Sequence, residues 1–413
     1  MRTGRRRRQE KARRRTRQTG RYSACGTPNA EVVAASDMLV LPGLVETHWH
    51  IWTTMLRSMS GDVAEHGYFP TSRGIGAHYE ARDMYVSARL ALAEAVHSGI
   101  TFVHDWCHNV RSPEFARQAL AALQESGVRA RFSYGSPAGL GGDVPLDLDD
   151  IAALHDRWGD FADNGRLHIG LAWRGAGTAA SREDYNRARA LDLPISVHVN
   201  NFQTAAGGIA AIDAAGMLGP HVQLIHAIWS SEEEVAAVAR SGASLSLSPY
   251  TELRIGFGFP MTREYLDAGV PIGLSVDTPT LSGNADMFAI MKAIQNIANA
   301  RALNEFDVTA RRVLELATIE GARSMGIDSQ TGSLTPGKRA DVIMVDTRHV
   351  NIGVVTDPVH LLVEAAQPAN VDTVIADGRM LKRDGRLTNV DVAEVVADAR
   401  AASDAVRRRA DWW

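Results

Sequence analysis

Residues 41–50 read LPGLVETHWH, an apolar run from Leu41 to Val45 that continues into His48, Trp49 and His50. Alternate side chains of a β-strand share a face, so His48 and His50 at a strand end offer two imidazoles to one ion. Alone, such a pair is as often structural as functional. Recurrence gives it weight. His198 lies near the end of the fifth predicted strand, His226 ends the sixth, and Asp277 follows the eighth.

Outward from this stretch, short β-branched or apolar runs alternate with amphipathic stretches rich in Ala, Glu and Arg, the pattern of βαβ units and a parallel sheet. The strands read as 38–45, 100–105, 130–134, 167–173, 195–199, 222–226, 243–247 and 272–276. Helices are expected at 81–98, 113–125, 149–161, 231–241 and 262–268, with a further helical region over 285–325 and a last helix at 391–409. Eight such units close a (β/α)8 barrel, which needs roughly 250 residues and leaves room in 413 for a satellite. Polar residues at the carboxyl ends of barrel strands are where barrel enzymes place their sites. Three imidazoles with one or two further ligands suit zinc or ferrous iron and leave a position for water. The cofactor reading is one divalent metal ion per chain, Zn or Fe.

The stretches GSLTPGKRADVIMVD and VDTVIADGRMLKRDGR have a different character, hairpin-like with Gly turns. They predict a small β domain completed by residues just before the barrel, such as 31–35. The expected division is 1–22, an Arg-rich start; 23–40 with 330–390, the small β domain; 41–329, the barrel; and 391–413, the C-terminal helix.

With 45% hydrophobic and 22% charged residues the composition is that of a globular protein, and 6% aromatic content does not suit a stacking-based nucleic-acid binder. Cys25 and Cys107 are the two cysteines, too few for a disulfide framework. No run of about 18 apolar residues occurs and the first 20 residues hold no apolar segment, so neither a membrane span nor a secretory signal is read and the cytoplasm is expected. Residues 1–20 hold ten basic residues against Glu10, which leaves 34 basic and 47 acidic residues in the remainder, a formal −13. Attraction to nucleic acid would rest on the tail alone. The tail itself reads first as a wrongly assigned start, ahead of a nucleic-acid-binding arm or a targeting segment.

The motifs PGLVETHWHIWTTMLR, DWCHN, HVN, LIHAIW, SPYTELRIGFG, GLSVDT with SGNADMF, and GSLTPGKRADVIMVD together resemble the amidohydrolase superfamily, in its cytosine deaminase and triazine chlorohydrolase-like branch, over about residues 30 to 385. The resemblance implies an α/β fold, a (β/α)8 TIM barrel with a small β-sandwich domain built from both chain ends. It implies His48, His50 and His198 as metal ligands, Asp277 as ligand and general base, and His226 as the residue that orients hydroxide or polarises the substrate. Physically these roles are reasonable, since a divalent metal lowers the pKa of water from 15.7 to about 7 and a carboxylate can move its proton. Binuclear relatives need a bridging ligand, commonly a carboxylated lysine on the fourth strand. The fourth strand here, LHIGLAWR, has no Lys, Glu or Cys, so one metal is expected.

Many deaminases of this branch place a Glu three residues after the fifth-strand histidine, where it shuttles a proton to the ring. Asn201 stands there, and an amide exchanges no proton. Glu252, in the loop after the seventh strand, is the candidate replacement. Among residues in βα loops, Trp52, Arg57, Trp106, His108, Trp173, Tyr250 and Thr278 suit a planar ligand; Trp106, His108, Asn201, Trp52 and Tyr250 are the predicted substrate contacts. The remaining histidines are read as surface or packing residues. The leading function is hydrolytic C–N cleavage of a small heterocyclic substrate by deamination. The alternatives are hydrolytic dehalogenation or opening of a cyclic amide or amidine on the same site, and, outside enzymes, nucleic-acid binding through the basic tail, which the acidic body opposes. The resemblance also implies a homo-oligomer.

Overall fold

The computed structural model describes residues 32–137 and 139–412. The chain divides into two units, Met1–Met38 and Leu39–Trp413. The Arg-rich start and Glu31 lie outside the described residues; Val32–Ala35, part of the expected partner strand, carry no strand.

Eight parallel strands close a barrel: β2 (Leu44–Trp49), β3 (Ile100–Cys107), β4 (Arg129–Gly135), β5 (Leu167–Trp173), β6 (Ile195–Val199), β7 (Val222–His226), β8 (Ser244–Leu247) and β9 (Ile272–Leu274). The ring shuts through the β2–β9 pair, Glu46 opposite Leu274. The run predicted as one strand over 38–45 is two. Met38–Pro42 forms β1 of a second sheet, Pro42 brings no N–H to continue a ladder, and the Gly43 N–H turns to the Asp341 carbonyl at 3.0 Å.

The second sheet has five strands in the order β1, β10 (Val342–Asp346), β11 (Val371–Ala376), β12 (Arg379–Arg383), β13 (Arg386–Leu387). Two-residue Asp-Gly loops join its last three strands. Asp377, Gly378, Asp384 and Gly385 all have φ between 50° and 77°, the type I′ geometry that suits the right-handed strand twist. The first predicted hairpin stretch contributes β10 only; its antiparallel partner β11 arrives after a helix at Pro358–Glu364. Arg129, buried at the start of β4, fastens this sheet to the barrel: Nε reaches Asp341 Oδ2 at 3.0 Å and Nη2 reaches Asp377 Oδ1 at 3.0 Å.

Helices form where the amphipathic stretches predict them, at Ala81–His97, Pro113–Ser126, Glu232–Ser241 and Thr262–Asp267. The expected helix at 149–161 stops at Asp156 and resumes as a 3-10 turn, Trp158–Asp160. The long helical region resolves into Met287–Ala302, Ala310–Leu316 and Ile319–Ser324, and Val392–Arg409 is the last helix, its N–H groups capped by Asp391. Helices with no counterpart among the predicted elements include Tyr68–Gly76, Ala179–Ala190, Gly208–Ala214, Pro249–Arg254 and Pro358–Glu364, of which Tyr68–Gly76 bears on the site. Among the described residues no helix is long and apolar enough to cross a membrane.

Candidate metal centre and cavity

The carboxyl end of the barrel is locked before any side chain is considered. The His50 N–H donates to the Asp277 carbonyl at 2.7 Å and the Asp277 N–H donates to the His48 carbonyl at 2.9 Å, so β2 and the segment after β9 hold each other in register. Glu46, fully buried, accepts the N–H groups of His48 (2.9 Å), Val276 (3.2 Å) and His104 (3.3 Å), and thereby joins three strand ends. Burial pushes its carboxyl up to about 8 against those three hydrogen bonds, so at pH 7 it adds little negative charge beneath the site. His226, Ala227 and Asp277 are non-glycine residues with φ of 68°, 49° and 60°. That left-handed region is sparsely used by such residues and is held where surrounding structure enforces it.

On this frame His48, His50, His198 and Asp277 each offer one ligand atom, all within 4.8 Å of one another. Asp277 Oδ1 lies 3.2 Å from His48 Nε2 and 3.3 Å from His50 Nε2, and the Nε2 atoms of His48 and His198 are 3.1 Å apart. His50 Nδ1 faces the Trp106 carbonyl at 3.0 Å; a carbonyl only accepts, so Nδ1 carries the proton and the Nε2 lone pair is left for the centre. Burial holds His48, His50 and His198 well below the usual imidazole range, hence neutral. Burial also raises the Asp277 carboxyl. Lone pairs of three neutral imidazoles and a carboxylate gathered at one point repel unless a cation sits among them, and this is the donor set of a divalent ion. No Lys, Glu or Cys of β5 faces the group to supply a bridge to a second ion.

His226 stands beside the four, Nε2 3.8 Å from Asp277 Oδ2. Its Nδ1 lies 3.0 Å from Glu252 Oε1, which also accepts the Ser248 N–H at 2.8 Å. Glu252 is buried behind His226 and does not line the cavity, so it reaches the site only through that ring.

Above the centre opens a cavity of ≈ 350 Å³, within the range of small-molecule sites. Three of the predicted substrate contacts line it: Trp106, His108 and Asn201. Burial lowers His108 to about 4, and Trp52 Nε1–H donates to its Nδ1 at 3.3 Å, which leaves His108 Nε2–H as a donor. Asn201 Oδ1 is buried without a partner among the described residues. Trp52 and Tyr250 are not in the lining. Trp52 is buried behind His108 against Tyr79, and the half-exposed Tyr250 sends its hydroxyl to the Ala289 carbonyl at 3.4 Å.

Sequence reasoning missed the opposite wall. The helix Tyr68–Gly76 lays Tyr68, Phe69, Ser72 and Arg73 along the cavity, and Phe202, Thr251, Ile255 and Phe257 complete it. Tyr68 hydrogen-bonds Thr278, and burial beside Asp277 holds its hydroxyl above the usual phenol range. The available signal was position, since Phe202 and Phe257 follow strand ends as the predicted contacts do.

A family model described as the amidohydrolase family matches residues 39–381. A 5-methylthioadenosine/S-adenosylhomocysteine deaminase from Moorella thermoacetica is 29% identical, over 89% of this chain and 87% of that protein. A 5'-deoxyadenosine deaminase from Methanothermobacter thermautotrophicus is 28% identical, over 90% and 88%. Among solved structures, a zinc-bound adenosine deaminase from Xanthomonas campestris aligns with a TM-score of 0.79 at 24% identity, covering 90% of this chain and 87% of that one. A zinc complex of atrazine chlorohydrolase from Arthrobacter aurescens aligns at 0.78 and 21% identity, covering 89% and 88%.

Proposed function

The chain belongs to the amidohydrolase family, and on that premise we propose that it is a metal-dependent aminohydrolase that adds water to a small amino-substituted heterocycle and releases ammonia. The observation that carries this reading is the convergence of four ligating atoms at the floor of an aromatic-walled cavity. His48, His50, His198 and Asp277 hold one divalent ion, zinc or iron. When bound, such an ion acidifies water to near neutrality and polarises an electrophilic ring. Asp277 takes the water proton and delivers it to the departing amine. His226 faces the same point, and Glu252 keeps its ring in one orientation and one tautomer. Trp106 and His108 flank the heterocycle, with the His108 Nε2–H and the Asn201 amide as hydrogen-bonding groups.

The deaminase names of the relatives support ammonia as the leaving group. Asn201 favours a second reading, hydrolytic dehalogenation, because chloride leaves as an anion and needs no proton relay. The oligomeric and cytoplasmic expectations belong to the same proposal. The test is elemental analysis coupled to ammonia and chloride release from aminated and chlorinated pyrimidines, purines and triazines. About one zinc or iron per chain, ammonia release, and a loss of at least about 10²-fold in Asp277→Asn are expected. Chloride without ammonia selects the second reading. Protein that takes up no metal refutes both.

A further inference from the structure

Among the described residues two charged side chains line the cavity, Asp277 at its floor and Arg73 at its mouth. Arg73 is exposed, and among the described residues it meets no carboxylate; its guanidinium lies 5.7 Å from the centroid of the Phe69 ring. That is notable in a body with a formal charge of −13. Other arginines of the barrel loops behave otherwise: Arg57 pairs with Glu94, and Arg254 reaches Asp62 at 3.3 Å.

The wall between the two charges is a continuous file of rings. His226 at the floor contacts Phe257 (centroids 5.2 Å), Phe257 contacts Phe202 (4.7 Å), Phe202 contacts Phe69 (6.1 Å), and Phe69 carries Arg73. A planar ring laid along this file with its reactive carbon at the floor directs its far substituent to the guanidinium. A guanidinium presents a planar fork of donors that matches a carboxylate.

We propose that Arg73 is a specificity-determining residue and that the substrate is an aminated heterocycle whose far end carries an anionic group, a carboxylate above all. This rests on the aminohydrolase reading for the floor of the cavity and adds the mouth to it. Arg73 takes no part in the hydrolysis; it anchors the substrate by its tail. The anchor is exposed, so its effect weakens as salt rises.

The test uses two probes, a 6-aminopurine bearing a short carboxyalkyl chain on the imidazole ring and its carboxamide counterpart, with the metal-loaded full chain as wild type, Arg73→Lys and Arg73→Met. In the wild type the carboxylate probe is expected to show a KM about tenfold below the carboxamide. Arg73→Met removes the difference by raising KM for the carboxylate alone, with kcat unchanged; Arg73→Lys retains part of it, having charge without the fork. Equal KM values in the wild type, or a preference that survives Arg73→Met, overturn the inference. If neither probe releases ammonia, the aminohydrolase reading is what has failed, and calorimetric binding of the same two probes then decides the subsite: carboxylate tighter than carboxamide, through Arg73, upholds it, and equal binding overturns it.

Discussion

Glu252→Gln isolates what a buried carboxylate does for a ring it touches on one side only. Glu252 Oε1 takes two donors, His226 Nδ1–H and the Ser248 N–H, while Oε2 is buried with no partner. An amide of the same shape has two choices. With its oxygen toward His226 it buries an NH2 where Oε2 stood, facing nothing; with its NH2 toward His226 it meets the Ser248 N–H head-on and demands the other imidazole tautomer. Exchanging a charge-assisted hydrogen bond for a neutral one loses about 1–2 kcal/mol. If His226 works in the transition state, that is about a 5- to 30-fold fall in kcat at nearly constant KM. Steady-state ammonia release with metal content measured on the same samples reads it, and Glu252→Ala supplies the contrast. Alanine leaves two buried donors bare, at about 1–3 kcal/mol each, and is expected to show in urea denaturation as well as in rate. A Glu252→Gln enzyme with full metal and kcat within twofold of wild type refutes the positioning role.

Asp163 is held at about 2 by hydrogen bonds from Arg379 and then Arg166. Its folded pKa lies below the unfolded value of about 3.9, so its contribution is present above pH 4 and is lost as pH falls from about 4 to about 2. Asp163→Asn, compatible with the φ of 42° there, is expected to lower Tm modestly at pH 7 and to flatten the fall of Tm with pH in that window, so that variant and wild type converge near pH 2; an unaltered acid limb refutes the assignment. Gly273 in β9 sits so close to β2 that a Cβ on it would lie 2.3 Å from Thr47 Cγ2, next to His48. Gly273→Ala is expected to lose at least about 1–3 kcal/mol in urea denaturation and to lower metal occupancy, because relief of the clash must move β2. Full occupancy with wild-type stability would show that β2 has slack.

The group of candidate ligands was legible because a barrel gathers the ends of strands far apart in sequence at one face, and His48, His50, His198 and Asp277 all stand at such ends, with His226 beside them. What the sequence conceals is direction within a loop. Trp52 and Tyr250 occupy the expected loops, yet one packs behind His108 and the other turns outward, outcomes decided by neighbours 56 and 39 residues away in the chain. Glu252, the candidate replacement carboxylate expected in the loop after the seventh strand, lies instead in a short helix and behind His226, where its Oε1 accepts the N–H of Ser248, the N-cap of that helix. The division of the run 38–45 was hidden because an apolar stretch reads the same in either sheet. The helix at Tyr68–Gly76, YFPTSRGIG, was hidden because a proline and two glycines in nine residues read as loop, and with it went the cavity wall that bears Arg73.

The shared carboxyl of Glu46, the paired backbone bonds between Asp277 and its flanking histidines, and the carbonyl that fixes His50 all draw on groups of the chain itself. The rigidity of the candidate ligand set is therefore a property of the strands beneath it, and a substitution that loosens those strands is expected to weaken ion binding without touching any of the four side chains that face the ion.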